Sequence, residues 1–316
     1  MKCIICKEEK VDSEFTDEHV FADSIGGTLI LSNVCKDCND KLGRHIDAKL
    51  VNHLLIQFVR LTLKIPSKSG KVPNPLENGV LRSDPDQQVK YFFDNTGVPQ
   101  ELYMVPKVAK TTREDGSEEV HMVIDVKDRD KLPTMINKML RRKGLPEISA
   151  EEIEKHIKTS TDHTPTMEIS RSIDLVDYKR GILKIAYELA YYWLGENYLN
   201  DPVGEEIRRC ITDYTNKEWF KKYKIRETIN LTGKKPMLQL WTDETSSHIS
   251  FVKASDGKIV IYIRVFDVFE ANIVVSEKAD QYTPFTDRFI SINSETGEIR
   301  ESDLMSEFLR ICQEDS

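Results

Sequence analysis

The sequence predicts an α+β protein, in which a small cysteine-rich head is followed by a larger region of helices and antiparallel strands. Four of the six cysteines lie in two CxxC pairs within the first 38 residues. Further along the chain, apolar residues recur first at the spacing of a helix and then at the spacing of a strand. At 316 residues the chain exceeds the size at which one hydrophobic core usually keeps growing, so we expect more than one domain.

We expect a head at residues 1–62, a linker or boundary at 63–96, and an α+β region at 97–316. The head is predicted to turn helical from about Asn39. Its apolar residues recur there at steps of four: Leu42, Ile46, Leu50, Leu54 and Phe58. The boundary segment is rich in Pro, Gly, Ser and Asp, which favour turns and loops over regular elements.

Helices are expected to dominate the middle of the chain, at about 131–230. Strand-like runs and a turn come before it: Val89–Phe93, Arg113–Gly116 and Val120–Val126. A basic helix is predicted at Lys131–Lys143 and a short polar one at 150–158. The clearest apolar helix runs from about Leu175 to Leu194, and another follows at about Gly204–Tyr214.

Antiparallel strands are expected at about 236–300, because the apolar period there falls to two. The predicted strands are Leu238–Trp241, His248–Lys253, Lys258–Phe266 and Ala271–Val275. Ser255-Asp256-Gly257, between two of them, is typical of a tight hairpin turn. A short helix near Leu304–Cys312 is expected after the sheet.

The charge balance restricts how the chain can meet nucleic acid. Its net charge is −8, whereas non-specific DNA binding depends on Lys and Arg that displace counter-ions from phosphates. DNA binding by this chain therefore needs a local basic patch, a second subunit or a partner. The best basic cluster is Lys138, Arg141, Arg142 and Lys143. Such a run is either a solvated helix face or a patch that contacts phosphates.

Three features indicate a cytoplasmic protein with no membrane partner. No stretch approaches eighteen consecutive apolar residues, and the N-terminus lacks the apolar run of a signal peptide. Six cysteines are too few for a disulfide scaffold in a chain of this length, and paired CxxC motifs indicate metal binding in a reducing compartment.

The paired motifs predict one structural zinc ion. Cys3 and Cys6 form the first pair, Cys35 and Cys38 the second, and four thiolates satisfy a tetrahedral Zn²⁺. The gap between the pairs is longer than in a plain zinc ribbon, so a segment is inserted between them. Without regard to the content of that insert, the pattern fits a zinc-stabilised interaction module.

The insert carries a second motif. It contains Glu18-His19-Val20-Phe21, then Ser24-Ile25-Gly26-Gly27-Thr28, then Asn33, and Asn39 directly follows the second CxxC. In these residues the chain resembles the HNH (ββα-metal) endonucleases, in the branch where two CxxC pairs bracket the active site. The resemblance covers about residues 3–47, and it implies a zinc-bound ββα-metal domain at the head.

The resemblance implies a role for each matching residue. His19 corresponds to the general base that takes a proton from the attacking water, which suits a neutral imidazole. Glu18 and Asn39 correspond to ligands of a catalytic divalent ion, and their hard oxygen atoms suit Mg²⁺ or Mn²⁺. Asn33 corresponds to the residue that braces the loop behind the histidine. Asp47 is expected to form a salt bridge or a helix cap.

The implied activity is metal-assisted hydrolysis of phosphodiester bonds, with DNA favoured over RNA as the substrate. One alternative is a zinc-stabilised module that binds nucleic acid or protein without cleavage. Another is a triggered nuclease effector in bacterial defence against phage, whose residues 70–316 sense a signal or an activating partner. The partners expected besides DNA are a second copy of the chain or an activating partner. The other histidines are predicted to be packing, surface or structural residues: His45, His53, His121, His156, His163 and His248.

Overall fold

The computed structural model describes residues 1–67, 69–94, 98–112, 118–162, 164–173, 176–216, 218–219 and 246–314. The predicted strand at Leu238–Trp241, the predicted turn at Arg113–Gly116 and His163 lie outside the described residues. Within the described part of the chain, no helix is long and apolar enough to cross a membrane.

The described strands, in chain order, are β1 (Phe15–His19), β2 (Ile30–Cys35), β3 (Asn78–Leu81), β4 (Gln88–Phe93), β5 (Pro99–Met104), β6 (Lys107–Thr112), β7 (Glu118–Val123), β8 (Met167–Glu168), β9 (Ser247–Ser255), β10 (Lys258–Val265), β11 (Phe269–Ser276), β12 (Arg288–Asn293) and β13 (Ile299–Ser302). The α-helices are α1 (Lys36–Leu42), α2 (Ala48–Val51), α3 (Leu54–Thr62), α4 (Leu132–Arg142), α5 (Ala150–Glu154), α6 (Tyr178–Leu194), α7 (Pro202–Thr212) and α8 (Leu304–Glu314). Helices and antiparallel sheets are mixed, which confirms the α+β class.

The described chain divides into two compact units, residues 1–74 with 172–316 and residues 75–171. This grouping differs from the division expected from the sequence, in which the head ended at residue 62. The head and the C-terminal part share one hydrophobic core, because α6 and the C-terminal strands cover the apolar side chains of the head. At Gly181 an added Cβ would lie 3.0 Å from the Leu50 side chain, so α6 packs tightly against α2.

The head is built as a β-hairpin followed by helices. β1 pairs antiparallel with β2, and a register irregularity between Thr16 and Glu18 interrupts the ladder. The prediction of one continuous helix from Asn39 is wrong. A π-helical turn at Gly43–Asp47 separates α1 from α2, and an extended His53 begins α3. These two interruptions change which side chains face the core.

The apolar stripe therefore holds for only part of its predicted length. Leu42, Ile46 and Leu50 are buried as expected. After the break at His53 the phase has shifted, so that Ile56 is buried and Phe58 is exposed. His53 itself packs among aromatic side chains of the core, in agreement with its predicted packing role.

The C-terminal part of this unit is a five-stranded antiparallel sheet in the order β11-β10-β9-β12-β13. The expected strands at 248–253, 258–266 and 271–275 correspond to β9, β10 and β11, and the turn at Ser255-Asp256-Gly257 joins the first two. The positive φ of Asp256 and Gly257 suits that hairpin.

The second unit contains a four-stranded antiparallel sheet in the order β5-β4-β3-β8 and a separate hairpin of β6 and β7. Part of this sheet lies in the segment expected to be a linker, where β3 and β4 are paired strands. The predicted basic helix is present as α4, and the predicted polar helix is present in shortened form as α5.

Candidate active site

The four cysteines of the two CxxC pairs come together. The Sγ atoms of Cys3, Cys6, Cys35 and Cys38 all lie within 4.8 Å of one another, and the Cys35 amide donates to the Cys3 Sγ atom at 3.3 Å. A tetrahedral zinc site with Zn–S bonds of about 2.3 Å has sulfur–sulfur edges of about 3.8 Å, so this cluster fits the ion.

The thiols perturb one another strongly. A hydrogen bond with Cys38 lowers the pKa of Cys3 to about 4, whereas burial raises the pKa of Cys6 to about 11. Thiols packed this closely do not all ionise unless a cation offsets their charge, and zinc would supply that charge. Cys38 lies in α1 and Cys35 directly precedes that helix, so a metal here would anchor the start of α1 to the N-terminal segment that carries Cys3 and Cys6.

A second site lies beside this cluster, at a cavity of about 530 Å³. Its lining includes Glu18 and His19 from the end of β1, Asn39 from α1, and Asp47 from the π-helical turn. π-Helical turns of this kind are frequent at functional sites, because the extra residue redirects the side chains around it. Three of the four polar residues predicted for the catalytic centre therefore line one cavity.

The His19 ring is held by one hydrogen bond. Its Nδ1 atom lies 2.9 Å from the Gly27 carbonyl oxygen, which only accepts, so Nδ1 carries the proton. This tautomer leaves Nε2 unprotonated, as a general base requires. Gly27 is needed at this place, because an added Cβ would lie 1.9 Å from the Phe21 carbonyl oxygen.

The neighbouring Gly26 packs against the backbone of Ser294. It has a φ of +82°, and an added Cβ would lie 2.3 Å from the Ser294 carbonyl oxygen. The Thr28 hydroxyl donates to the Gly297 carbonyl at 2.9 Å. The loop that orients His19 is therefore enclosed by the turn that follows β12.

His248 contacts the same loop, which precedes β2, at Phe21 and Ile25. Its Nε2 atom donates to the Ile25 carbonyl at 2.8 Å, and its ring stacks on Phe21 with centroids 4.8 Å apart. Burial lowers the pKa of His248 to about 4, although the bond to Ile25 acts in the opposite direction. His248 is thus a neutral structural histidine, in agreement with its predicted role.

Glu18 is buried and faces the interior. Its carboxylate forms an ion pair with the ammonium group of Lys184, which lies on α6 and is fully buried. Burial raises the pKa of Glu18, and Lys184 partly offsets the rise. Lys184 also contacts Asp47 at 3.3 Å, so Asp47 forms the salt bridge that the sequence predicted.

The Asn39 amide group ties α1 to β1. Its Nδ2 atom donates to the Asp17 carbonyl at 2.7 Å and to the Thr16 hydroxyl at 3.1 Å. With both donors engaged, the orientation of the amide is fixed and its oxygen is the atom left for another group. Carboxylate and amide oxygens at one cavity fit a hard divalent cation such as Mg²⁺ or Mn²⁺.

Comparison with known protein families gives one match. Residues 3–55 match the family model described as HNH endonuclease. The head thus contains a segment that matches the HNH endonuclease family. The matched segment contains both CxxC pairs and the cavity residues Glu18, His19, Asn39 and Asp47. Comparison of the chain with curated proteins and with solved structures gives no match.

Asn33 of the HNH head lies apart from the cavity residues. Its backbone carbonyl accepts from the Ile4 amide at 3.1 Å, so it braces the first zinc knuckle. The Tyr191 pKa is raised by burial, and a hydrogen bond from the Asn33 side chain opposes that rise. In the described structure, Gly27 rather than Asn33 contacts the His19 ring, and a catalytic role for Asn33 stays a prediction.

The basic cluster belongs to the unit of residues 75–171, outside the HNH head. Lys138, Arg141 and Arg142 are on α4 and Lys143 ends it, and all four side chains are exposed. Arg141 lies 3.3 Å from the Glu147 carboxylate, which an exposed arginine exchanges readily for another anion. Phosphate binding by this cluster stays a prediction.

Sequence reasoning missed Lys184, which contacts the end of β1 in the HNH head. The signal was a charged pair inside an apolar helix. Lys184 and Glu188 lie four residues apart and thus on one face of α6, among buried neighbours. Charged residues are almost never fully buried unless they are paired, so a lysine within such a helix predicts an acidic partner.

Proposed function

We propose that this protein is a divalent-metal-dependent endonuclease that hydrolyses phosphodiester bonds of DNA, with His19 as the general base. The observation that carries the proposal is the hydrogen bond from His19 Nδ1 to the Gly27 carbonyl. It leaves Nε2 as a proton acceptor on a cavity that also holds carboxylate and amide oxygens.

Each residue contributes to hydrolysis in its own way. His19 accepts a proton from the attacking water at Nε2, and the charge that develops on its ring is shared with the Gly27 carbonyl through Nδ1. Glu18 and Asn39 would hold the divalent ion. When bound, that ion stabilises negative charge on the phosphate and on the leaving oxygen. The zinc cluster keeps β2 and α1 in place, and thereby keeps Asn39 beside β1.

The family resemblance favours DNA over RNA as the substrate. Because the net charge of the chain is −8, binding of DNA phosphates needs a local group of basic side chains. The exposed side chains of Lys138, Arg141, Arg142 and Lys143 offer a local concentration of positive charge. Contacts to phosphates of this kind position a protein on DNA without reading its sequence.

The decisive experiment is cleavage of plasmid DNA by the purified protein with Mg²⁺, with Mn²⁺ or with a chelator. His19→Ala should lower the cleavage rate by about 10²–10⁴-fold, as is usual when a general base is lost. His45→Ala is the matched control, because His45 is an exposed histidine of the head that stacks on Tyr214. It should cleave like the wild type.

Other outcomes have distinct meanings. If the wild type binds DNA but never cleaves it, and His19→Ala binds equally well, the head is a zinc-stabilised binding module. Cleavage that survives the chelator would contradict the metal requirement. Cleavage of RNA but not of DNA would reassign the substrate. Activity of the purified protein without an added partner would count against a triggered effector of phage defence.

A further inference from the structure

The buried ammonium group of Lys184 contacts four other residues. Its Nζ atom donates to the His19 carbonyl at 2.7 Å and pairs with the Glu18 carboxylate. It lies 3.3 Å from Asp47 and 3.5 Å from Glu188. Three of these four partners belong to residues that line the catalytic cavity, whereas Glu188 belongs to α6 itself.

We propose that Lys184 is a positioning residue of the nuclease, which holds the end of β1, the Glu18 carboxylate and the turn at Asp47 in the arrangement that cleavage requires. The inference rests on the proposed function. It extends the catalytic centre beyond the HNH head to a helix more than a hundred residues away in the sequence.

The position of the ammonium group explains how it acts. The His19 carbonyl oxygen and the Glu18 carboxylate both contact the Lys184 Nζ atom. The backbone at the general base and the side chain of the predicted metal ligand therefore cannot shift independently. Asp47 contacts the same Lys184 Nζ atom from the π-helical turn, which also contributes to the cavity lining. One charge therefore joins β1 to the helical part of the head.

Stability alone does not account for a charge at this place. Burying an ion pair costs several kcal/mol per ion in desolvation, and well-packed apolar side chains of similar volume often give equal or greater stability. α6 is otherwise largely apolar along its buried face, so a methionine would suit position 184 if packing were the only demand. Perturbed, buried charges cluster at functional sites for this reason.

Lys184 and its three acidic partners, Glu18, Asp47 and Glu188, form a buried cluster with more negative than positive groups. One ammonium and three carboxylates sum to −2 if all are ionised, so loss of Lys184 alone would leave −3 in the interior. Burial raises the pKa of Glu188 well above its usual range. Neither Glu188 carboxylate oxygen forms a hydrogen bond within the described structure. Glu188 is thus the partner whose replacement disturbs the cavity least.

Three variants of the full chain distinguish loss of the positioning contacts of Lys184 from the buried negative charge that its removal leaves. Lys184→Met removes the ammonium group and is expected to destabilise the protein. Lys184→Met/Glu188→Gln also removes the ionisable group of Glu188, so at most two carboxylates, those of Glu18 and Asp47, stay without the ammonium group, and folding should be restored. Glu188→Gln alone is the matched control, and it should fold and cleave normally because neither Glu188 carboxylate oxygen has a hydrogen bond to lose within the described structure.

The expected result is a folded, zinc-loaded double variant with a defective catalytic centre. Its kcat on plasmid DNA should fall by about 10²-fold, the usual effect of misplacing a catalytic group by about 1 Å. Its KM should stay unchanged, because Lys184 has no exposed surface and cannot touch DNA. A purely structural lysine would give the double variant normal kcat, and that result would overturn the proposal.

A second measurement does not depend on cleavage. Long-range ¹H–¹⁵N spectra of the histidine rings report whether His19 is protonated at Nδ1 or Nε2. The wild type and Glu188→Gln should show the Nδ1-protonated form, whereas the double variant should show a mixture as the bond to Gly27 loosens. An unchanged His19 tautomer in the double variant would refute the positioning role. If the wild type shows the Nδ1 form yet cleaves nothing, the proposed function fails while the positioning role stands or falls on the spectra.

Discussion

Acidification should weaken the protein through His248. This ring lies fully buried between Phe21 and Phe266, and its Nε2 atom donates to the Ile25 carbonyl. Its Nδ1 atom has no hydrogen-bond partner within the described structure, so a proton added there would be buried without an acceptor. Burial lowers the pKa of His248 to about 4, from an ordinary value of 6.5.

The sign and size of the effect follow from this difference. The unfolded chain takes up the proton as the pH falls below about 6.5, whereas the folded chain resists it until about 4. His248 therefore costs no stability above about pH 6.5, and the free energy of unfolding declines as the pH falls from there to about 4. The full difference corresponds to about 3 kcal/mol, of which about 2 kcal/mol is lost at about pH 5.

The measurement is urea unfolding of the wild type and His248→Gln at about pH 7.5 and about pH 5. Glutamine can still donate to the Ile25 carbonyl but does not titrate. The wild type should lose about 2 kcal/mol more than the variant between these two conditions. Equal losses in both proteins would refute the reasoning, because the carboxylates common to both would then explain the whole decline.

Three further predictions concern the zinc cluster, the glycine loop and the basic helix. Cys35→Ala should unfold the head and lose zinc, which elemental analysis and circular dichroism would show; a folded variant with full zinc would contradict the cluster. Gly27→Ala should lose both stability and cleavage, because its Cβ would lie 1.9 Å from the Phe21 carbonyl; normal plasmid cleavage would mean that the loop does not orient the base. Reversal of Arg141 and Arg142 to Glu should weaken DNA binding and lower its salt slope by about 2 or more, with zinc unchanged; unchanged binding would make α4 a solvated surface.

The four-cysteine cluster and most of the cavity could be predicted from the sequence, because the motif is local. Two CxxC pairs determine their own ligand set, and His19 lies one residue from Glu18 on the strand between them. The period of the apolar residues likewise predicted α6 and three strands of the C-terminal sheet to within a few residues. These features depend on neighbours in the sequence.

The rest could not be predicted because it depends on residues that meet only in the folded chain. A π-helical turn and a break at His53 replace the single helix, and Asp47 of that turn contacts a lysine from α6 that lies 137 residues away in the sequence. Spacing alone gave no sign that Gly26 meets Ser294 or that His248 meets Ile25. The role predicted for Asn33 came from motif position, whereas the contact to the His19 ring is made by a backbone carbonyl, which no residue type reveals.

The segment from His19 to Thr28 contacts residues that the ribosome adds much later than the two cysteine pairs. A ribosome releases the two cysteine pairs first, but the partners of the His19 carbonyl, Ile25 and Thr28 follow 165, 223 and 269 residues later. A nascent chain can therefore load zinc well before the histidine centre has its supports, given that synthesis adds about 5–20 residues per second. We expect chains cut short before β12 to bind zinc without showing the proposed nuclease activity, which a plasmid-cleavage assay and elemental analysis of such truncated chains would test.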